Sequence, residues 1–230
     1  MKNYTSYDLI EWGKPFEKSQ HALPEPTLSE VLIRVTAAGL CHSDLHVQKG
    51  YMDLGEEGRL TFAERGAQLP MTFGHEIAGI VEAIGDKVKN VSIGQQVLVF
   101  PWIGCGDCLA CNENRESDCS AMRIIGLKQK GGFATHCLIE NEKFLVNIDG
   151  LDAAEVVPHA CSGITVYNAL EKIGFLRDGE WLAVMGCGGL GLNAIAIAGA
   201  MGFDNIIGID IDNSKICLLY TSDAADETVR

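Results

Sequence analysis

Between Glu30 and Ala37 apolar and polar residues alternate, which puts Val31, Ile33 and Val35 on one face. A period of two predicts a half-buried strand. Ile77 to Ile84 predicts a second strand, ending at the turn Gly85-Asp86, and Gln96 to Phe100 a third. A fourth, Phe133 to Ile139, opens after Gly131-Gly132. Many short strands punctuated by glycine turns point to a compact β-barrel-like unit.

The pattern changes after about Gly150. Ala153 to Ile173 carries helical apolar spacing with a break expected at Pro158. An apolar strand follows, Trp181 to Met185, then glycines, a small-residue helix from Leu190 to Met201, and a second apolar strand, Asn205 to Ile209. Strand, helix, strand in this order implies parallel pairing and a doubly wound sheet. The expected organisation is a β-rich domain over 1–150, with a metal-binding lobe at about 100–120, and the opening of a nucleotide-type domain over 151–216. From Cys217 onward CLLYTSDAADE resembles a translated sequencing adapter, and its apolar residues bunch at 216–220 without helical recurrence. Residues 217–230 are therefore expected to be a non-native tail, kept out of fold reasoning.

Composition narrows the function classes. The 230-residue chain has 18 Lys and Arg against 31 Asp and Glu, a formal net charge of −13. That balance argues against nucleic acid as a partner, because phosphate binding needs a basic surplus. The first ten residues lack the apolar core of a secretory signal. No run approaches the roughly 20 apolar residues that span a bilayer, and glycines interrupt the most apolar stretch, Trp181 to Met201. No membrane partner is expected, and the cytoplasm is the expected address.

Nine cysteines change the picture. In a reducing compartment, metal binding or catalysis is a better prior than disulfides. Cys105, Cys108, Cys111 and Cys119 sit in GCGDCLACNENRESDC with the spacing C-x2-C-x2-C-x7-C. Four thiolates in a short polar loop can wrap a tetrahedral zinc, leave it no open position, and stand in for a hydrophobic core. The rivals are free thiols or an iron–sulfur cluster. The fourth spacing and the lack of proline after Cys119 fit poorly with the bacterial ferredoxin run.

Three further metal-ligand types are scattered: Cys41 in GLCHSDLH, His75 in GHE and Cys161 in ACSGITVYNAL. Two thiolates and one imidazole on zinc would leave a fourth position for a substrate oxygen. Gly186, Gly188 and Gly191 form G-x-G-x-x-G between a predicted strand and a predicted helix, and Asp210 ends the next strand nineteen residues after Gly191. That context suits a dinucleotide pyrophosphate at a helix N-terminus with an acidic residue on the ribose. The Asp210 charge would repel a 2′-phosphate, favouring NAD over NADP. The rival is a glycine-rich packing turn.

Together these motifs, from about Val31 to about Asp210, resemble the zinc-containing medium-chain dehydrogenase/reductase family, alcohol dehydrogenase branch. The resemblance implies a GroES-like β-barrel catalytic domain followed by a Rossmann domain, two zinc ions per chain, and hydride transfer between an alcohol and NAD to give an aldehyde or ketone. It implies that Cys41, His75 and Cys161 hold a catalytic zinc, with Glu76 near it and Asp44 orienting the histidine ligand. It implies that Ser43 takes the alcohol proton and His46 passes it to water. It implies that His42 faces the cofactor pyrophosphate and Thr165 lies beside the nicotinamide. The bland alternative for Ser43, His42 and His46 is a solvated polar loop. His21, His136 and His159 attract no functional reading, and Cys137 and Cys187 read as packing residues.

Members of the family are longer, so only the first two strands of a nucleotide sheet are expected here, from a longer parent that forms a homo-oligomer. The fragment itself is expected to be weak or inactive. The residues do not choose among simple alcohols, polyols, the glutathione adduct of formaldehyde, or aldehyde reduction. A zinc-stapled binding module is opposed by Ser43, His46 and the glycine fingerprint. A zinc-free quinone reductase is opposed by seven well-placed ligands.

Overall fold

The computed structural model describes residues 2–174 and 176–215. The expected non-native tail lies outside the described residues. The chain divides into two compact units, the first running to Ala160 and the second starting at Cys161.

The first unit opens with β1 (Asn3–Leu9), β2 (Glu17–Ala22) and β3 (Val31–Gly39). A helix, α1 (His42–Lys49), leads into a small hairpin of β4 (Tyr51–Asp53) and β5 (Arg59–Thr61). Then come β6 (Met71–Thr72), β7 (Glu76–Ile84), β8 (Gln96–Val99) and β9 (Trp102–Ile103). The short helix α2 (Leu109–Asn112) precedes β10 (Arg123–Ile124), β11 (His136–Ile139) and β12 (Leu145–Asn147). A last helical turn, α3 (Ala153–Val156), closes the unit with the 3-10 turn Val157–Ala160.

The main sheet has the order β11-β3-β7-β8-β12, antiparallel throughout. Its buried face carries Val31, Ile33, Ile77, Val81, Val97, Val99 and Ile139, joined by Ile103 and Ile125 from the loop side. These are β-branched residues, which pack well on a pleated surface. Register shifts between Leu32 and Ile33, and between Val35 and Ala37, bend β3 against β7.

The strands do not close into the expected barrel among the described residues. A second sheet, β2-β1-β6, meets the first along a seam: Tyr7 N–H donates to Phe133 O at 2.8 Å and Thr135 N–H to Thr5 O at 2.8 Å. The physical reason is the stretch before β11. Gly132 N–H and Phe133 N–H are taken by Gly74 O and Phe73 O, so residues 131–135 bridge two neighbours instead of forming a ladder. The strand expected from Phe133 begins only at His136.

Residues 151–160, expected to open the second domain, pack with the first unit. Val157 is buried with Ala78 and Ile148, and the 3-10 turn containing Pro158 lies on β3 and β7.

The second unit holds α4 (Ser162–Ile173), β13 (Leu182–Met185), α5 (Gly189–Ala200) and β14 (Ile206–Ile209). β13 and β14 pair in parallel, register Leu182↔Ile206 to Met185↔Ile209. This is the β-α-β arrangement read from the sequence, a partial Rossmann unit. Leu170, Leu182 and Ala198 form its core, while Met185 and Ile211 stay exposed.

Candidate metal centres and nucleotide turn

β3 and β7 are neighbours, and their register ends on the pair Gly39↔Glu76. Cys41 follows β3 by two residues and His75 precedes β7 by one, so two adjacent strand ends deliver both side chains to one place. Ligand atoms of Cys41, His75 and Glu76 lie within 4.8 Å of one another. Gly39 is required there, because a Cβ at that position would collide with the buried Glu76 side chain. Gly74 enters β7 at φ +90°, a left-handed conformation, and a Cβ there would strike Phe133.

Asp44 organises the pair. It is the third residue of α1 and is buried. Its Oδ2 accepts the Cys41 backbone N–H at 2.9 Å, and its Oδ1 stands 3.3 Å from Nδ1 of His75. The ring orientation and the helix start are thereby fixed by one carboxylate. Burial disfavours charge on His75, but hydrogen bonds to Asp44 and Cys41 outweigh it and hold the imidazole up at about 10. Burial, with the Cys41 charge beside it, pushes Glu76 up to about 7. The donor set of thiolate, imidazole and carboxylate is that of zinc.

Ser43 and His46 lie on α1, not on the loop that was one reading of their sequence. Ser43 Oγ is 3.6 Å from Cys41 Sγ, and the His42 and His46 rings meet edge-on at 4.8 Å. Cys161 caps the N-terminus of α4 as the first residue of the second unit, one peptide bond from the fully buried Ala160.

The second cluster is complete within one lobe. Cys105, Cys108, Cys111 and Cys119 offer sulfurs within 4.8 Å of one another. Cys108 and Cys111 are 3.5 Å apart, and Cys105 and Cys111 3.9 Å. Four sulfurs at about 2.3 Å from a tetrahedral zinc stand roughly 3.8 Å apart, so the spacing fits the ion. Cys105 N–H donates to Cys119 Sγ at 3.3 Å and brings that thiol down to about 7. Arg123 ties the lobe to the sheet, bonding Gly104 O at 3.2 Å and Glu140 at 2.6 Å.

In the second unit, Gly186 has φ +95° and Gly191 packs so closely on Gly186 O that a Cβ would collide with it. Gly188 caps α5, whose first-turn amides have no carbonyls behind them. Asp210 follows β14, with its carboxylate bonded to the turn (Cys187 N–H to Oδ2, 2.7 Å). Thr165 is exposed on α4. Cys137 is a core residue, pushed up to about 12 by burial, and Cys187 is fully buried.

Sequence reasoning missed Gly39 as a site residue; a glycine inside a strand, two positions before Cys41, is the signal for it.

A β-rich unit carrying candidate metal centres, followed by a parallel β-α-β unit, defines a two-part α/β fold. Residues 27–150 match the alcohol dehydrogenase GroES-like domain, and the chain belongs to that family, the medium-chain alcohol dehydrogenases of zinc type. It is 41% identical over 205 residues to an NAD-dependent alcohol dehydrogenase of Sulfurisphaera tokodaii, covering 88% of this chain and 57% of that one. It is 39% identical to the NAD-dependent alcohol dehydrogenase of Saccharolobus solfataricus, covering 90% and 59%. The chain thus spans under three fifths of the length of these relatives. Among solved structures it is similar to the alcohol dehydrogenase of Aeropyrum pernix, with TM-score 0.81 and 28% identity over 94% of this chain and 62% of that one. It is also similar to a cobalt- and zinc-bound thermostable alcohol dehydrogenase of Pyrobaculum aerophilum, with TM-score 0.81 and 25% identity over 97% and 64%. No helix among the described residues is long and apolar enough to cross a membrane.

Proposed function

We propose that this chain is part of an NAD-dependent zinc alcohol dehydrogenase, which moves a hydride between a small alcohol and NAD to give an aldehyde or ketone. The observation that carries the reading is Asp44 bonded at once to Cys41 and His75 at the joined ends of two strands. Cys41, His75 and Cys161 are the proposed ligands of a catalytic zinc, with Glu76 against it. Zinc bound there supplies Lewis-acid polarisation of the substrate oxygen. Ser43 accepts the alcohol proton, and His46, one helical turn on, hands it to solvent. Their shared face on α1 supports that relay. His42 faces the pyrophosphate of the cofactor. The four-cysteine lobe holds a structural zinc.

Gly186, Gly188 and Gly191 receive the pyrophosphate, Asp210 the adenosine ribose, and Thr165 adjoins the nicotinamide. The left-handed Gly186 and the tight Gly186–Gly191 contact support this. A cytoplasmic address is supported by four thiols gathered as metal ligands, a pattern suited to a reducing compartment. A homo-oligomer is the proposed state of the full-length protein, and the exposed Met185 and Ile209 support further covering of the β13–β14 pair.

Metal analysis tests the core of the proposal. Two zincs per chain are expected, falling to one in Cys41→Ala, with NAD-linked alcohol oxidation lost in the protein extended to its relatives' length. Two zincs remaining in Cys41→Ala would overturn the ligand assignment.

A further inference from the structure

Asp210 is bonded to more than its own strand end. Its carboxylate is only 5% exposed. Oδ2 accepts the N–H of Cys187 at 2.7 Å, and Oδ1 accepts the N–H of Asp212 at 2.9 Å. Lys215 Nζ stands 3.7 Å from Oδ1. Cys187 lies between Gly186 and Gly188, in the turn that links β13 to α5, and its side chain is fully buried.

The backbone ladder between the two parallel strands ends at Gly186 N–H to Ile209 O, 2.7 Å. Beyond that rung the chains diverge: one turns into a helix, the other leaves the sheet. The Asp210 side chain supplies the next rung in place of a backbone carbonyl. A buried backbone N–H left without an acceptor is costly, and the Cys187 N–H has its acceptor in this carboxylate. Gly186 and Gly188, on either side of Cys187, have no Cβ to restrict the backbone. The turn therefore depends on a bond from outside itself.

We propose that Asp210 is a positioning residue for the phosphate-binding turn, holding the Cys187 amide inward so that the turn is preformed before any nucleotide arrives. The inference rests on the nucleotide reading given above and adds a role to it. A carboxylate offers about four acceptor positions. At least two are used here by backbone amides, with Lys215 beside Oδ1, and a remaining position is the one proposed for a ribose hydroxyl. One side chain thereby links the ribose end and the pyrophosphate end of the dinucleotide site. Changing it disturbs both, even for a ligand that lacks the ribose hydroxyls.

Cys187 is a built-in reporter. The test compares the 230-residue chain with Asp210→Ala and Asp210→Asn, without cofactor, by hydrogen exchange at the Cys187 amide and by maleimide labelling of its thiol, read by peptide mass spectrometry. Asp210→Ala is expected to speed both at least tenfold, and Asp210→Asn, with one acceptor oxygen left, by less. The Leu182 and Gly186 amides, bonded to Asn205 O and Ile209 O, are expected to stay protected, which shows the strand pair intact. Parental rates at Cys187 in Asp210→Ala overturn the proposal. Should that variant lose the strand pair, Asp210→Asn decides by the same rates. NAD titration of the protein extended to its relatives' length separates the two readings. Failure of that protein to bind NAD ends the nucleotide assignment and leaves the latch measured. NAD binding with an unchanged Cys187 ends the latch and leaves the assignment.

Discussion

Oδ1 of Asp44 stands 3.3 Å from Nδ1 of His75, while Oδ2 of the same carboxylate holds the backbone N–H of Cys41 at 2.9 Å. The bond at Nδ1 leaves Nε2 of the ring as the donor to a metal, and the N–H bond sets the direction in which the Cys41 side chain leaves the backbone. Both constraints come from a residue that is not itself among the clustered ligands.

The first prediction concerns that carboxylate. Asp44→Ala removes the carboxylate that orients His75 at Nδ1 and leaves the Cys41 amide without its acceptor. Groups that orient metal ligands are worth roughly 10–100-fold in metal affinity. Competition with a zinc chelator is expected to show a loss of that size at one of the two sites, with the four-cysteine site unchanged. Equal weakening of both sites would point to general unfolding instead.

The second concerns Gly39. A Cβ there meets the Glu76 carboxylate and its Cβ together, and Glu76 is buried. Gly39→Ala is expected to cost about 1–3 kcal/mol by overpacking. For a chain of this size each kcal/mol lowers the melting temperature by roughly 2–4 °C. Calorimetry of the variant checks this. Gly199→Ala is the control, since a Cβ there meets nothing within 4 Å and the position is not left-handed; it is expected not to lower the melting temperature.

How far the sequence could be read depended on which side chains are buried. β3 and β8 announce themselves because their buried faces carry Val and Ile at every second position, and β7 because Ile77 and Val81 share one such face. β1 does not, because Ser6 and Asp8 occupy its inward face beside Tyr4 and no apolar alternation survives. α1 is hidden for a related reason: its buried residues are Asp44 and Val47, one of them charged. The hairpin of β4 and β5 has no buried residue at all. The candidate ligands were legible because thiols at fixed spacing are rare outside metal sites. Gly39 and the bond from Cys187 to Asp210 were not, since both are tertiary contacts in which one partner is a backbone position with no side chain to mark it.

The third prediction concerns the four-cysteine lobe. Cys111 is buried, with neighbouring sulfurs at 3.5 and 3.9 Å. Cys111→Ser is expected to remove one zinc per chain. Without the ion, residues 104–119 have few apolar contacts to hold them, and binding free energy at such sites is folding free energy. Limited proteolysis is expected to cut the variant within 104–119 while the sheet of β3, β7 and β8 persists. Cleavage at the same rate as the parent would show that the lobe stands without metal.

The last prediction is a pH dependence set by Asp8. This carboxylate is buried in β1, yet its Oδ1 accepts the Thr72 hydroxyl at 2.6 Å and its Oδ2 lies 3.0 Å from His21 Nε2. Burial works against its charge, but the bonds from Thr72, Ser6, His21 and Ser19 prevail and hold the carboxyl below its ordinary value. The folded chain therefore releases this proton more readily than the unfolded chain. The stabilisation is present in full above the unfolded value, about 3.9, and is lost as pH falls through the lower folded value. Asp8→Asn keeps the shape and removes the charge. It is expected to be less stable than the parent at neutral pH, by about 1–3 kcal/mol for the bonds weakened. The two melting temperatures are expected to converge as pH drops below the ordinary aspartate range. A gap that stays constant from neutral to acid pH would assign the loss to packing and not to the carboxylate.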